Sequence, residues 1–455
     1  MTDPVSGLST DARYHFCGVS GSGMLPLAAF LSSRGYRVSG SDRSIDQGTI
    51  PASRRDFLRQ WKIRICAQDG SGVTEDCCVV RSAAVEDSVP EIRTALQRGA
   101  EVVFRGELLA AVFNSRRGIG VAGSSGKSTT AAMIAHILAE TASPPDVITG
   151  ANTISTGSPD FGFRAGKSDL LCCEVDESDR SIDHFTPFAA VVTNMGREHY
   201  EAGELRRMFE SFLQRSRSIR VSGLEGVPRA FTVNGSQWTV DDIHTSVGGT
   251  TFSLQGTAFR LPVPGEHNAV NAAMAAALCR GLGTDLAFSS QRLAAFPGVS
   301  RRLEKICDEK DVTIIDDFGH TPEKIAASLQ AVRTFAGRRR IVAAFQPHGF
   351  GPLRFHCRAL QRTFCRELAP PDLLLLFPVF YSGGTAKKDI TSEELARAVR
   401  TAGRTARTVS RPEFLNRPED YIEPGDVIII MGARDDSLSR FARDLSAKLK
   451  TALNQ

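Results

Sequence analysis

The segment of this chain best equipped for chemistry is Gly123-Ser-Ser-Gly126-Lys127-Ser128-Thr129. A glycine loop between a strand and a helix turns its backbone N–H groups and the helix N-terminus toward phosphate oxygens. In that reading Gly123, Ser125, Gly126 and Thr129 line a nucleotide site. Lys127 reaches the β- and γ-phosphates, and the Ser128 hydroxyl faces Mg2+. Val121 stands where a full G-x-x-x-x-G-K-S has its first glycine, so the alternative is a surface glycine turn with an exposed lysine.

Two polar clusters follow apolar runs further along. Glu174-Val-Asp176-Glu177-Ser178-Asp179 succeeds DLLCC. Carboxylates at a strand's C-terminal end, near a phosphate loop, suit Mg2+ coordination, with Glu174 the leading ligand because it is nearest the strand. The alternative is a solvated acidic turn. Asn194-Met-Gly-Arg-Glu-His199 succeeds AAVVT. His199 is either a ligand or catalytic contact at a third strand of the same sheet, or a structural or surface histidine.

Gly18-x-x-Gly21-x-Gly23 ends the first strand-like run, and Asp42 ends the second. The glycine order differs from G-x-G-x-x-G, which favours some phosphate or nucleotide contact over NAD. Asp42 either hydrogen-bonds a ribose or base, or caps a helix or turn. Three further clusters are Gly265-Glu-His267-Asn268-Ala-Val-Asn271, Asp316-Asp317-Phe318-Gly-His320-Thr-Pro322 and Phe345-Gln-Pro-His348. Asn268 and Asn271 share a helix face, which suits amide contacts to a base. Asp317 and His320 follow VTII at a position resembling a topological switch point. Capping or turn chemistry accounts for each cluster equally well.

The elements that must hold these residues are legible in the hydrophobic pattern. Short apolar runs alternate with longer helical patterns, which reads as parallel α/β. YHFCGVS, RVSGSD and CCVV are strands of a first block that closes near residue 105. A second block opens at Gly118 with strand, loop and helix, adds DLLCCEV and AAVVTNMG, and continues through β-like patterning over about 220–262 into a helix over 265–281. A third block, from about 299, carries VTIIDD, RRIVAAF, DLLLLFPV and DVIIIMG. At roughly 150 residues per domain, 455 residues make three domains, placed at 1–115, 116–298 and 299–455.

Composition excludes other classes. Apolar residues at 42% and charged residues at 23% are those of a globular chain, which rules out a disordered or fibrous one. No apolar run approaches the roughly 20 residues of a membrane span, and the polar start MTDPVSGLSTDAR gives no expectation of a signal peptide. The net charge of +4 comes from scattered basic residues, against a nucleic-acid binder. The ten cysteines make no C-x-x-C and several sit in apolar runs, the pattern of buried free thiols in a reducing cytoplasm; a zinc site or a nucleophilic cysteine is the minor alternative.

Taken together, these motifs resemble the Mur ligase family, ATP-dependent ligases of bacterial peptidoglycan precursor synthesis, over nearly the whole chain and in the family's order. The alanine-adding branch is the most similar. The segments carrying the resemblance are HFCGVSGSGM, GSD, GSSGKSTT, EVDESD with the downstream TN and His199, GEHNAVNAA, FPGVSRRLE, DDFGHTP, FQPH and MGA. The resemblance implies an α/β fold of three domains: a Rossmann-like N-terminal domain for a UDP-sugar, a central P-loop ATPase domain, and a Rossmann-like C-terminal domain for an amino acid. It implies ATP and Mg2+, a UDP-N-acetylmuramate-like substrate carboxylate activated as an acyl phosphate, and an incoming amino acid, L-alanine by default. By position, Ser22, Gly23, Met24 and Asp42 would hold the UDP part. Lys127 and Ser128 would bind phosphates, and Ser128, Glu174 and His199 would hold Mg2+. Asn268 and Asn271 would meet adenine, Arg302 and Asp317 would reach ATP, and His320 and His348 would lie near the amine. Lys127, His199 and His348 are thus the catalytic candidates. The resemblance also implies a cytoplasmic monomer or homodimer with no nucleic-acid or membrane partner.

The departures fall mainly in the C-terminal third. Where the branch reads FQPHRYTRTR, this chain has Gly349 and Pro352 in place of two arginines. DDYGHHP has become DDFGHTP, with Phe318 and Thr321. DVYPAGE is replaced by a segment ending in Gly383-Gly384 that lacks both acids, and MGAGD reads MGARD, with Arg434. In the central domain GTHGKTTT reads GSSGKSTT, a mild change. There is no lysine between Lys167 and Lys305, so the carbamylated lysine of some relatives is not expected. The ATP machinery reads as intact and the second-substrate pocket as remodelled. That leaves open a different amine (another amino acid or a recycled peptide) or a different carboxylate outside cell-wall synthesis. A non-catalytic nucleotide-binding homologue is opposed by the intact Lys127, Glu174 and His199.

Overall fold

The computed structural model describes residues 12–83, 85–154, 159–196, 200–246, 248–309, 312–381 and 387–453. They form two compact units. The first runs to Asp242 and includes Phe252–Leu261 and Asn268–Val299; the second comprises Ile243–Thr251, Pro262–His267 and the chain from Ser300 onward.

The first unit opens with a parallel sheet of β1 (Arg13–Cys17), β2 (Arg37–Ser41), β3 (Arg64–Ile65), β4 (Cys77–Arg81) and β5 (Glu101–Phe104), in the order β3-β2-β1-β4-β5. It continues with β6 (Arg117–Ala122), β7 (Asp146–Ile148), β8 (Phe163–Arg164), β9 (Leu170–Glu174), β10 (Ala189–Val192), β11 (Ile219–Ser222) and β12 (Ala230–Val233). These strands lie in the order β12-β11-β10-β6-β9-β7-β8, parallel from β11 to β7 and antiparallel at both ends. β13 (Ser236–Ser246), β14 (Gly249–Leu254) and β15 (Thr257–Leu261) complete the β-rich stretch expected over 220–262. Near-continuous apolar strands such as LLCC and AAVV are what a parallel sheet covered on both faces requires.

One core runs beneath both of these sheets. Phe16, Leu27 and Phe30 pack in the same cluster as Val192, Phe209 and Phe212. An aromatic group joins them: Phe57 lies 5.1 Å from Phe161, and Trp61 4.9 Å from Phe163, ring centre to ring centre. Asp146, fully buried at the start of β7, pairs with Arg34 at the end of the helix Met24–Ser33 and with Arg116 at 3.3 Å.

In the second unit β16 (Glu304–Glu309), β17 (Val312–Asp317), β18 (Ile341–Gln346), β19 (Leu373–Leu376), β20 (Thr405–Thr408) and β21 (Val427–Gly432) form a sheet in the order β16-β17-β21-β18-β19-β20. Only β16 is antiparallel. The last strand in sequence is thus inserted between β17 and β18, which places their C-terminal ends around its own. Alternate residues along each strand face opposite cores. Ile315, Ala343 and Ile429 meet Ile325, Leu353 and Leu395, whereas Ile314, Val342 and Ile428 meet Phe414, Phe441 and Leu445.

Among the described residues no helix is long and apolar enough to cross a membrane. All ten cysteines are free thiols and seven are buried. Burial pushes the thiols of Cys17, Cys78 and Cys172 up to about 12, so they pack as small apolar groups rather than react as thiolates.

Candidate active site

Three neighbouring parallel strands, β9, β6 and β10, end at one edge of the sheet, and the loop after each carries part of the phosphate-loop cluster. Val121 of β6 is level with Glu174 of β9, and Ala122 with Val192 of β10. Parallel pairing forces this: all three chains leave the sheet in the same direction.

The loop after β6 closes on Gly126, which precedes the helix Lys127–Leu138. Two of its positions require glycine. Gly123 has φ +127°, and a Cβ there would stand 2.2 Å from Thr193 Oγ1; Gly126 has φ +83°, and its Cβ would meet Asn271 Oδ1 at 2.8 Å. The loop after β10 clamps the turn. Asn194 Oδ1 accepts from Ser125 N–H at 3.1 Å, and its Nδ2 donates to Ser125 C=O at 3.0 Å. Thr193 Oγ1 donates to the same carbonyl at 2.6 Å, and Gly196 N–H donates to Ser124 Oγ at 2.9 Å. The bonds between these two loops do not depend on a nucleotide, so the conformation of the loop is fixed without one.

Lys127 Nζ donates to Gly123 C=O at 2.7 Å and to Glu177 at 2.9 Å. Burial opposes its charge, but Glu177, Glu174 and Asp176 outweigh that and hold its pKa above the ordinary lysine value. Burial likewise opposes ionisation of Asp176, and Lys127 overcomes it, holding that carboxyl below its usual range. The lysine is therefore a fixed cation at the mouth of the loop. Ser128 Oγ donates to Glu174 Oε2 at 2.8 Å, and Gly150 N–H reaches the same oxygen at 3.2 Å. A hydroxyl and a carboxylate oxygen in contact at a helix N-terminus are hard oxygen donors of the kind Mg2+ takes, so this pair fits that ion. Among the described residues no three of His, Cys, Asp and Glu are grouped to hold a metal. His199, the third expected ligand, lies outside the described residues.

Asn268 and Asn271 are both buried on the helix Glu266–Gly281, and the amide of Asn271 packs on Gly126. Thr129 is buried in the first turn of the loop's helix.

At the first sheet Asp42 behaves as a cap. It precedes the short helix Arg43–Asp46 and accepts from Ser44 N–H at 2.9 Å. Its other oxygen accepts from Ser20 N–H at 3.0 Å and Ser20 Oγ at 2.5 Å, which fixes the Gly18–Gly23 loop. Met24 packs into the core, and Ser22 is exposed at the loop's tip. The sequence reading passed over Arg105. It lies against Gly23, 3.3 Å from where a Cβ would stand, and pairs with Asp179 at 3.5 Å. It thus spans the glycine loop of the first sheet and the acidic turn after β9. Nothing local marks it, because the first block closes near residue 105 without a recognisable motif.

The remaining candidates belong to the second unit. Both oxygens of Asp317 are occupied within it: one accepts from Leu303 N–H at 2.9 Å, the other from Gly319 N–H at 2.8 Å and Ser328 Oγ at 2.6 Å. Arg302 lies over the Phe318 ring at 4.8 Å. Its neighbour Arg301 is the buried one, pairing with Asp316 at 3.4 Å. His320 and His348, after β17 and β18, have their rings 5.1 Å apart, edge to face. His320 Nδ1 faces Phe318 C=O at 2.9 Å and must donate to it, which leaves Nε2 with the free lone pair. Gly349 caps the helix Phe350–Glu367, whose first turn contains Pro352. Gly384 lies outside the described residues.

Burial, with nearby cations adding to it, lowers His320 to about 3 and His348 to about 4. Both are neutral at pH 7. An unfolded histidine titrates near 6.5, so below that pH the unfolded chain binds protons that the folded one refuses. The contribution is complete above about pH 6.5 and is lost as pH falls toward 4. The unfolding temperature of the second unit is therefore expected to drop over this interval, with a shallower drop in His348→Gln, as followed by calorimetry at stepped pH.

Comparison with known proteins assigns the class. Models described as the Mur ligase family catalytic domain, the Mur ligase middle domain and the Mur ligase glutamate ligase domain match residues 13–117, 121–214 and 301–434. The chain belongs to the Mur ligase family, an ATP-dependent, ADP-forming class of ligase with three α/β domains. It is 34% identical to a UDP-N-acetylmuramate–L-alanine ligase of Synechococcus sp. (strain JA-2-3B'a(2-13)), over 95% of this chain and 91% of that one. It is 32% identical to a protein of the same name from Methylococcus capsulatus, over 99% of both chains. The fold is that of a solved UDP-N-acetylmuramate–alanine ligase from Thermotoga maritima, with TM-score 0.78 and 23% identity over 97% of this chain and 99% of that one. A murein peptide ligase from Psychrobacter arcticus superposes with TM-score 0.64 and 20% identity over 96% and 98%.

Proposed function

We propose that this chain joins L-alanine to UDP-N-acetylmuramate at the expense of ATP, in peptidoglycan precursor synthesis in the cytoplasm. The observation that carries the reading is the convergence of Lys127, Ser128 and Glu174 on a preformed phosphate loop, in a chain that aligns end to end with ligases of that name. In this reading residues 1–115 bind the sugar nucleotide, 116–298 bind ATP and 299–455 bind the amino acid.

The chemistry follows from the residues. A carboxylate is a poor acyl donor, and phosphorylation gives it a leaving group. The γ-phosphoryl group passes to a carboxylate oxygen as the bond to ADP breaks. The amine then attacks the acyl carbon, a C–N bond forms, and phosphate departs with its oxygen. Loop N–H groups and Lys127 hold the phosphates while charge develops. Ser128 and Glu174, joined by His199 if the resemblance holds there, would hold Mg2+, which would supply further neutralisation of that charge. The imidazoles of His348 and His320, uncharged at pH 7, offer ring nitrogens that accept a hydrogen bond from the incoming amine without repelling it.

The test is ADP formation and product mass with ATP, Mg2+, UDP-N-acetylmuramate and a panel of amino acids and the recycling tripeptide. L-alanine-dependent product is expected. ADP formation without dependence on this carboxylate would overturn the reading. Product with another amine only would place specificity in the altered segment Gly349–Pro352, where the cap and first turn carry no cation. Glu174→Gln is expected to raise the Mg2+ concentration giving half-maximal rate at least about tenfold. An unchanged Mg2+ dependence would remove Glu174 from the metal site.

A further inference from the structure

We propose that Arg434 binds the carboxylate of the incoming amino acid beside the His320–His348 pair; the assignment rests on the ligase reading above. β21 separates β17 from β18, with Met431 level with Asp317 and Gly432 level with Gln346. Arg434 and His348 each lie two residues beyond a paired position, and His320 three beyond Asp317. Three adjacent strand ends therefore carry His320, Arg434 and His348 to one edge of the sheet.

The turn that presents Arg434 is built rather than loose. Arg434 has φ +63°, in the left-handed region that favours glycine. Arg301, buried and ion-paired with Asp316, donates to Gly432 C=O at 2.6 Å and to Asp435 C=O at 3.3 Å, so one guanidinium grips the turn at both ends. Asp435 is itself fixed, accepting from Ser437 N–H at 3.0 Å. The residue held in this strained conformation is exposed, and its guanidinium has no hydrogen bond or ion pair among the described residues. Strain maintained around a cation with no such partner among the described residues, next to chemistry-bearing histidines, points to a ligand.

Each of the other cations near the pair has a contact of its own, that of Arg302 being with an aromatic ring. Arg302 covers Phe318, and Lys324 has an interaction of its own. The helix after Gly349 has no cation until Arg354, which pairs with Asp389. Arg434 also acts electrostatically on His348, as His356 and Lys324 do, after burial. A planar fork of donors matches a carboxylate, and two neutral imidazoles alongside suit the amino group on the same carbon.

The experiment compares Arg434→Gly and Arg434→Lys with the wild type. The glycine variant relieves the backbone strain, so it should fold. Its KM for L-alanine is expected to rise about 30-fold, the value of a charge-assisted contact, with KM for ATP and UDP-N-acetylmuramate unchanged. The preference for L-alanine over L-alaninamide should collapse in Arg434→Gly and persist in part in Arg434→Lys. An unchanged KM for L-alanine overturns the assignment. A rise in KM for ATP in its place also overturns it, because the anion is then a phosphate. Amino-acid-induced thermal stabilisation gives a readout independent of turnover. A carboxylate-dependent shift lost in Arg434→Gly supports the assignment, and a shift that survives, or none in the wild type, overturns it. Absence of ADP formation with UDP-N-acetylmuramate while that shift persists counts against the ligase reading alone.

Discussion

Lys127→Met is expected to lower kcat by about 10³-fold, because the side chain is the fixed cation of the phosphate loop and such a group acts on charge that develops in the transition state. Lys127 is placed for this by two contacts, Gly123 C=O at 2.7 Å and Glu177 at 2.9 Å. The second contact complicates the experiment. Glu177 is buried, its side chain 2% exposed, and removing its partner leaves a carboxylate without a cation. Breaking such a pair costs about 3 kcal/mol. The single variant is therefore expected to lose stability as well as activity. The double variant Lys127→Met/Glu177→Gln separates the two, since a neutral amide beside a thioether restores folding and leaves the phosphates without their cation. Thermal unfolding and single-turnover ADP formation on both proteins decide the matter. A double variant that regains the wild-type rate would sink the assignment of Lys127 to catalysis.

The largest stability effect is expected at Asp146, at the start of β7 and opposite to the strand ends that carry the phosphate loop. Its carboxylate is fully buried and holds Arg34, Arg116 and the N–H of Gly166, the last at 2.8 Å. Arg34 ends the helix Met24–Ser33 that covers the first sheet, and Asp146 begins β7 of the next. The pair thus ties together two sheets that share one apolar core. Asp146→Ala leaves two largely buried guanidinium groups facing each other and is expected to cost about 4 kcal/mol. For a unit of this size that corresponds to roughly 10 °C in unfolding temperature. Asp146→Asn, which keeps the shape and the bond from Gly166, should lose about half as much. ATP binding measured well below the transition should be unaffected in both. A drop of less than about 3 °C in Asp146→Ala would mean that water reaches the arginines and replaces the carboxylate.

The residues that do local work were legible without coordinates. Gly123 and Gly126 announce a phosphate loop because their backbone conformations admit no side chain, and the apolar runs LLCC and AAVV announce buried parallel strands because both their faces are covered. These are short-range requirements, so they are written in consecutive residues. Asp42 was legible as a cap or as a nucleotide contact; the cap is present, with Ser20 drawn in from 22 residues away.

What the tertiary structure alone decided are the pairings between distant segments. The partner of Lys127 is Glu177 of the EVDESD run, a run whose sequence singled out only Glu174, and that as a metal ligand. Asn194 is the clamp of the loop, although its segment drew attention for His199. Arg105 spans two loops from a position that no motif marks, and of the adjacent Arg301 and Arg302 it is Arg301 that is buried to grip the turn of Arg434. In each case the determining quantity is strand order and register. Glu174, Val121 and Val191 stand at one height because β9, β6 and β10 are neighbours, and β21 slips between β17 and β18. Sequence carries the propensity of a segment to be a strand; which strands become neighbours is fixed by the burial of both faces of the whole sheet, a property of no segment by itself.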